Sequence, residues 1–166
     1  MASPSTTSPL TFSNAKHSRN SKLITAYAFE NPSEGFEKKG LISVMMKDLL
    51  KVDRIEHGRV ICTLTVTTTV TNGCGTLHGG AVAVAAKMAA FACARTVVSD
   101  RELLLGELST SDLSAADTNV ELEIDGCVVR SCRNMTTTFI EFRVKETKKL
   151  VYTARAIFFT APVSNL

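Results

Sequence analysis

The run Asn72-Gly73-Cys74-Gly75-Thr76-Leu77-His78-Gly79-Gly80, followed by the Ala/Val-rich segment from Ala81 to Val98, decides how this chain folds. Its glycines allow a tight backbone path on which Asn72 and His78 converge. The segment after them is strongly helix-forming, and its only charges are Lys87 and Arg95. A polar loop therefore feeds a helix N-terminus, where the first N–H groups lack intrahelical partners and the macrodipole adds partial positive charge. Gly79 and Gly80 offer those donors to an anion or a polarised carbonyl, with no side chain in the way. A Gly-Gly pair also occurs at such junctions for steric reasons alone, so the chemistry rests on its neighbours.

Ala81, Val82, Ala85, Ala86, Met88, Ala89, Phe91 and Cys93 make the helix apolar on nearly every face, so something must wrap around it. A sheet can do that. The length also suits a membrane span, but a central Lys87 costs roughly 2.5–3.5 kcal/mol on insertion, and alanine returns little. A transmembrane reading is excluded on that balance.

Upstream, Arg59 to Thr67 alternates Val60, Cys62, Leu64 and Val66 against Ile61, Thr63 and Thr65, which predicts a strand after a turn at His57-Gly58. Leu41, Ile42, Val44, Met45, Leu49 and Leu50 around Lys47 and Asp48 predict a short amphipathic helix from Gly40 to Leu50. Downstream of the polar loop Ser99-Asp100-Arg101-Glu102, four strand-like runs follow: Leu103 to Leu113, Asn119 to Arg130, Met135 to Lys145 and Leu150 to Thr160. In the second, Val120, Leu122 and Ile124 alternate with Glu121, Glu123 and Asp125, so one face is buried and the other is wet. Strands in succession without helices between them argue for an antiparallel sheet. The single apolar helix must lie across its concave face, in an α+β fold.

With 166 residues, 45% of them hydrophobic, the chain suits one domain with a real core. A formal charge of +3, scattered and with few aromatics, is too small to argue for nucleic acid, and no such partner is expected. The five cysteines are odd in number, and Cys62, Cys93 and Cys127 sit in apolar periodic segments as small core residues. A reducing compartment and no metal are expected. Met1 to about Tyr27 is rich in Ser and Thr, with no acid before Glu30; this suits either a disordered tail or an organelle transit peptide. The expected organisation is a tail or targeting segment over 1–39, the folded domain over 40–161 and a short tail over 162–166.

This element order, together with Asn72-x-x-Gly75-Thr76-Leu77-His78-Gly79-Gly80, resembles the hotdog fold, in which a curved antiparallel sheet wraps one long central helix. More narrowly it resembles the small phenylacetyl-CoA/4-hydroxybenzoyl-CoA type acyl-CoA thioesterases, including plant-type members. Gly106-Glu107-Leu108-Ser109 and the ending Leu150-Val151-Tyr152-Thr153-Ala154-Arg155 support the likeness, which covers about Leu41 to Phe159. The resemblance implies that N–H donors at the helix start, Gly79 foremost, polarise a thioester carbonyl. It further implies that His78 and Asn72 orient substrate or water, and that an acid from a partner subunit acts as base or nucleophile. Coenzyme A enters as part of the substrate, and no separate cofactor is implied.

In that family the acid sits nine residues after the motif histidine, where this chain has Lys87. An ammonium has no lone pair with which to activate water. Three readings stay open: Lys87 has abolished hydrolysis and left an acyl-CoA binding protein, a nearby acid such as Glu107 substitutes, or a desolvated neutral Lys87 is itself a base. A solvated lysine at a wet subunit interface is the plainer alternative.

The expected substrate contacts are Gly80 and Ser109, with Val82 and Ala86 along the acyl group. Arg130 and Arg133, with Lys145, Lys148 and Lys149, are candidates for the phosphates of CoA. An unpaired sheet edge is an aggregation hazard, so a homodimer or homotetramer is expected. The ending Ser164-Asn165-Leu166 resembles a peroxisomal address with one change, which makes the peroxisome the expected location; a plastid, a mitochondrion or the cytosol is the alternative.

Overall fold

Period-two alternation carries the sheet. The computed structural model describes residues 46 and 48–160 of the chain. Among them run β1 (Leu50–Glu56), β2 (Arg59–Thr65), the long helix α1 (Gly79–Arg95), β3 (Leu103–Asp112), β4 (Glu121–Ser131), β5 (Met135–Val144) and β6 (Leu150–Thr160). The six strands form one sheet in the order β1-β2-β4-β5-β6-β3, with every neighbouring pair antiparallel. Helix α1 lies between β2 and β3 in sequence, so the chain crosses the sheet and adds β3 at the far edge, beside β6.

Inward side chains meet in rows across the strands. One row runs Val52, Cys62, Ile124, Phe142, Tyr152 and Asp112 over all six strands, and the next holds Val60, Gly126, Ile140, Ala154 and Thr110. Ile124, Phe142, Val60 and Ile140 are fully buried, each worth about 1.5–3 kcal/mol of transfer free energy. Against these rows α1 sets its small residues, Ala81, Ala85, Ala86, Ala89, Ala92 and Cys93, and it touches β2 through β6. A Cβ on Gly126 would stand 2.9 Å from Ile140 Cδ1 and 3.8 Å from the Ala89 carbonyl. The helix backbone therefore comes down over a strand position that has no side chain, and there Cys93 Sγ reaches the Gly126 carbonyl at 3.4 Å.

The convex face carries ion pairs beside exposed apolar residues such as Leu104 and Phe159. Arg59 pairs with Asp125, Arg143 with Glu141, Lys148 with Glu123 and Arg155 with Glu107, all partly or largely exposed. Such pairs contribute about 0–1 kcal/mol each and keep this face wet rather than holding the fold. Asp125 hydrogen-bonds the Arg59 guanidinium and raises its pKa further above an already high value. A cavity of about 230 Å³ opens on this face between Arg59, Asp125, Cys127, Phe139 and Glu141, on the side of the sheet away from α1.

The four downstream strands fall where alternation places them, with differences at the ends. β4 starts at Glu121, because Asn119 has φ 71°, a left-handed turn conformation. β2 stops at Thr65, and a 3-10 turn over Thr68–Val70 follows. Strand β1 has no counterpart in the sequence reading. Its apolar residues Val52 and Ile55 are three apart, and both face inward only because a bulge between Val52 and Arg54 breaks the two-residue period. Of the helix expected from Gly40 to Leu50, residues 46, 48 and 49 are helical, Met46 is fully buried and Leu50 opens β1. The rest of that segment, the N-terminal tail and Ser164-Asn165-Leu166 lie outside the described residues.

All five cysteines are free, with Cys62 and Cys93 buried and Cys74 and Cys132 exposed; Cys127, expected in the core, is half-buried on the convex face, because it alternates with the inward position Gly126. Burial pushes both core thiols up to about 12. The fold thus favours their neutral form. That part of the stability is complete below the ordinary thiol pKa of about 8.5 and is lost as pH rises towards about 12. A thiol reagent at pH 8 is expected to label Cys74 and Cys132 at once and Cys62 and Cys93 only on unfolding. The thermal midpoint is expected to fall steadily above pH 9, and a midpoint flat to pH 11 would contradict the burial.

Candidate functional site

The loop before α1 is shaped from within by Asn72. Its Oδ1 accepts from the N–H groups of Cys74 (2.9 Å) and Thr76 (3.2 Å), and its Nδ2 donates to Thr76 Oγ1 at 2.9 Å. The turn closes at Gly75, whose φ of 75° suits a residue without a side chain. Asn72 is therefore a positioning residue: its amide works inside its own loop rather than pointing at a ligand. The bridge between Thr71 and Leu77 and the bond from His78 N–H to the Val70 carbonyl (2.9 Å) seal the loop base.

The segment joining β3 to β4 grips the loop from outside. Leu77 N–H donates to the Ala116 carbonyl at 2.9 Å, and Thr118 donates to the Gly75 carbonyl from its N–H (3.1 Å) and its hydroxyl (2.9 Å). Ala116 N–H in turn donates to the Tyr152 hydroxyl at 3.1 Å. Tyr152 is buried edge-on to Phe142, with ring centroids 5.9 Å apart, and burial raises its phenol pKa. The loop's position is thus referred back to the core.

His78 is the N-cap of α1, with extended backbone angles, and its Nδ1 accepts from Gly80 N–H at 2.9 Å. That bond requires a lone pair on Nδ1, so in the neutral ring the proton sits on Nε2, as an outward donor. Ala81 N–H is taken by the His78 carbonyl at 2.8 Å. Of the first three helical N–H groups, only that of Gly79 is left without a partner among the described residues. The sequence offers Gly79 and Gly80 alike; the structure spends Gly80 on orienting the histidine and leaves one donor.

The carboxylate candidates separate by face. Glu107 and Ser109 alternate with the inward residue Leu108, which pairs with buried Ala156, so both point to the convex face. Glu107 is bound there to Arg155 at 2.7 Å. As the substitute acid it is on the wrong side of the sheet from Gly79 within this chain, and Ser109 is removed from the site for the same reason. Lys87 is exposed on α1, eight residues past Gly79 and therefore about 12 Å along the helix axis. Asp112, which the sequence reading did not single out, faces inward in register with Tyr152. A Cβ on Gly79 would lie 3.9 Å from its Oδ2. Counting by twos from the buried Leu103 would turn Glu107 and Ser109 inward; the register shift between Leu105 and Glu107 reverses that and brings Asp112 inward instead.

Val82 and Ala86 are fully buried against the sheet. The helical period turns them away from any ligand on the open side, where Ala83, Val84 and Lys87 reach the surface instead. Arg130 and Arg133 are exposed at the β4–β5 turn, where Arg101 donates to the Arg133 carbonyl and Arg95, at the end of α1, donates to the Arg101 carbonyl. They stand at the opposite end of the helix from Gly79. Lys149 is at the Gly79 end, with Nζ 2.8 Å from Ser114 Oγ, two residues beyond Asp112. Among the described residues no group of three His, Cys, Asp or Glu side chains could hold a metal, and no helix is long and apolar enough to cross a membrane.

No family model matches the sequence, and no curated protein matches it either. Solved structures do. Zebrafish thioesterase superfamily member 2 superposes with a TM-score of 0.71 at 20% identity, over 85% of this chain and 96% of that one. The Escherichia coli PaaI protein of the phenylacetic acid degradation operon gives 0.70 at 19% identity, over 87% and 96%. A Streptococcus mutans protein bound to acetyl-CoA gives 0.61 at 21% identity, over 68% and 88%. An antiparallel six-stranded sheet with one long helix across it, shared with these structures, is the hotdog fold, and this chain has that fold.

Proposed function

We propose that the protein is an acyl-CoA thioesterase, hydrolysing acyl- or aryl-CoA thioesters to the free acid and CoA. The observation that carries this reading is the single unpartnered N–H of Gly79 at the start of α1, with the Nε2–H of His78 beside it. A thioester oxygen gains charge as water adds to its carbonyl carbon. A preorganised donor aimed at that oxygen lowers the barrier by about 2.7–4 kcal/mol. The partial positive charge of the helix end acts in the same direction. The acetyl-CoA on a protein of the same fold supports the choice of ligand.

In this reading the acyl group follows the open stripe Ala83 and Val84, and Lys149 offers positive charge at the same end. Arg130 and Arg133 serve a site only by reaching it from a second copy. That copy has a place to bind: β3 is an edge strand of ten residues, with Leu104 and Leu105 exposed along it and Leu113 just beyond its end. Edge pairing of two β3 strands would satisfy its open backbone groups and cover those leucines. We read the protein as a homodimer, or a pair of such dimers.

Release of free CoA thiol from a panel of aryl- and fatty acyl-CoAs, measured beside calorimetric binding, tests the activity; micromolar binding without turnover would favour a binding protein instead. The donor can be removed cleanly. Proline is accepted at the first helical position, and His78 already has the extended angles that a residue before proline needs. Gly79→Pro is expected to lower kcat by about 10²–10³-fold, while Gly79→Ala keeps the N–H and separates this from crowding. For the assembly, sedimentation should give a dimer or tetramer, and Leu104→Asp should shift it towards monomer.

A further inference from the structure

We infer that Asp112 is the general base of this site; the inference rests on the thioesterase reading above. Three observations meet at this residue. Asp112 ends a row of inward side chains whose other members are Val52, Cys62, Ile124, Phe142 and Tyr152, so a carboxylate stands where the pattern of the face is apolar or aromatic. It is exposed, and no hydrogen bond or ion pair holds its side chain among the described residues. Its Oδ2 would be 3.9 Å from a Cβ on Gly79, on the side of the helix start that glycine leaves open. Lys87 lies about 12 Å along the axis from the same donor, and Glu107 is on the other face of the sheet.

With its Oδ2 3.9 Å from the Cβ position of Gly79, Asp112 is placed to accept from a water beside a carbonyl bound at Gly79 N–H. Asp112 takes one proton from that water as its oxygen bonds to the carbonyl carbon. The carbonyl electron pair moves onto the thioester oxygen, where Gly79 N–H holds it. On collapse the C–S bond breaks, its electron pair leaves on sulfur, and the proton on Asp112 passes to the thiolate. The products are the free acid and the CoA thiol, with the carboxylate restored. In this account Lys87 is not the base, and no acid from a second subunit is required.

The test uses the full chain and the acyl-CoA on which it is most active. Asp112→Asn is expected to lower kcat by about 10²–10⁴-fold with substrate affinity and thermal midpoint unchanged. Added formate should restore part of the turnover to Asp112→Ala, and Glu107→Gln should have no effect. Turnover of Asp112→Asn within about threefold of the parent, far below the acid–base range, would overturn the inference and leave the thioesterase reading standing. A loss of turnover accompanied by weaker binding or a lower midpoint, without formate rescue, would overturn it in favour of a structural role. Absence of turnover in the parent protein, with the acyl-CoA still bound, would remove the thioesterase reading and this inference with it.

Discussion

The fold depends on how closely an alanine-rich helix can approach a sheet. Ala85, Ala86, Ala89 and Cys93 present almost no side-chain depth, and Gly126 removes the obstacle on the sheet side, so the backbone of α1 lies against β4. Large residues such as Phe142, Phe158, Leu64 and Ile124 then fill the space to either side. A bulkier helix would stand off, and its first turn would no longer sit level with the ends of β3 and β6. The precision of the site at Gly79 is set by this contact, which lies well away from it.

A second constraint fixes the loop that enters the helix. Helix N-termini present several free N–H groups, and a substrate that meets all of them is not held in one orientation. Here the first turn is already partly satisfied: His78 takes Gly80 N–H on Nδ1 and Ala81 N–H on its carbonyl. Asn72 closes the loop internally, and Leu77 ties it to Ala116 and so to the buried Tyr152. Among the described residues what remains is one donor beside one imidazole N–H, in a position referred to the core.

The two faces of the sheet carry different tasks for one physical reason. Inward rows exclude water and gain transfer free energy, while the outward rows hold exposed pairs such as Arg155–Glu107 that contribute little to stability. A carboxylate on the outward face is ordinary, and Glu107 is one of these. Asp112, at the edge of the inward face, is out of keeping with its row, and there it meets the helix start.

The sequence by itself determined the architecture, because the alternation that opens β4 and runs through Met135–Val144 and an unbroken apolar helix over Gly79–Arg95 are local signals that survive any tertiary context. The glycine-rich loop and the place of His78 were legible for the same reason. Strand β1 was not, since Val52 and Ile55 are three residues apart and only its bulge brings them to one face. Tertiary structure alone decided which groups meet. The register shift in β3 turned Glu107 and Ser109 to the convex face and Asp112 towards Gly79. The helical phase buried Val82 and Ala86, and the length of α1 put Arg130 and Arg133 at its far end. Facing and distance are properties of pairing between segments remote in the chain, and a one-residue slip in a strand reverses them.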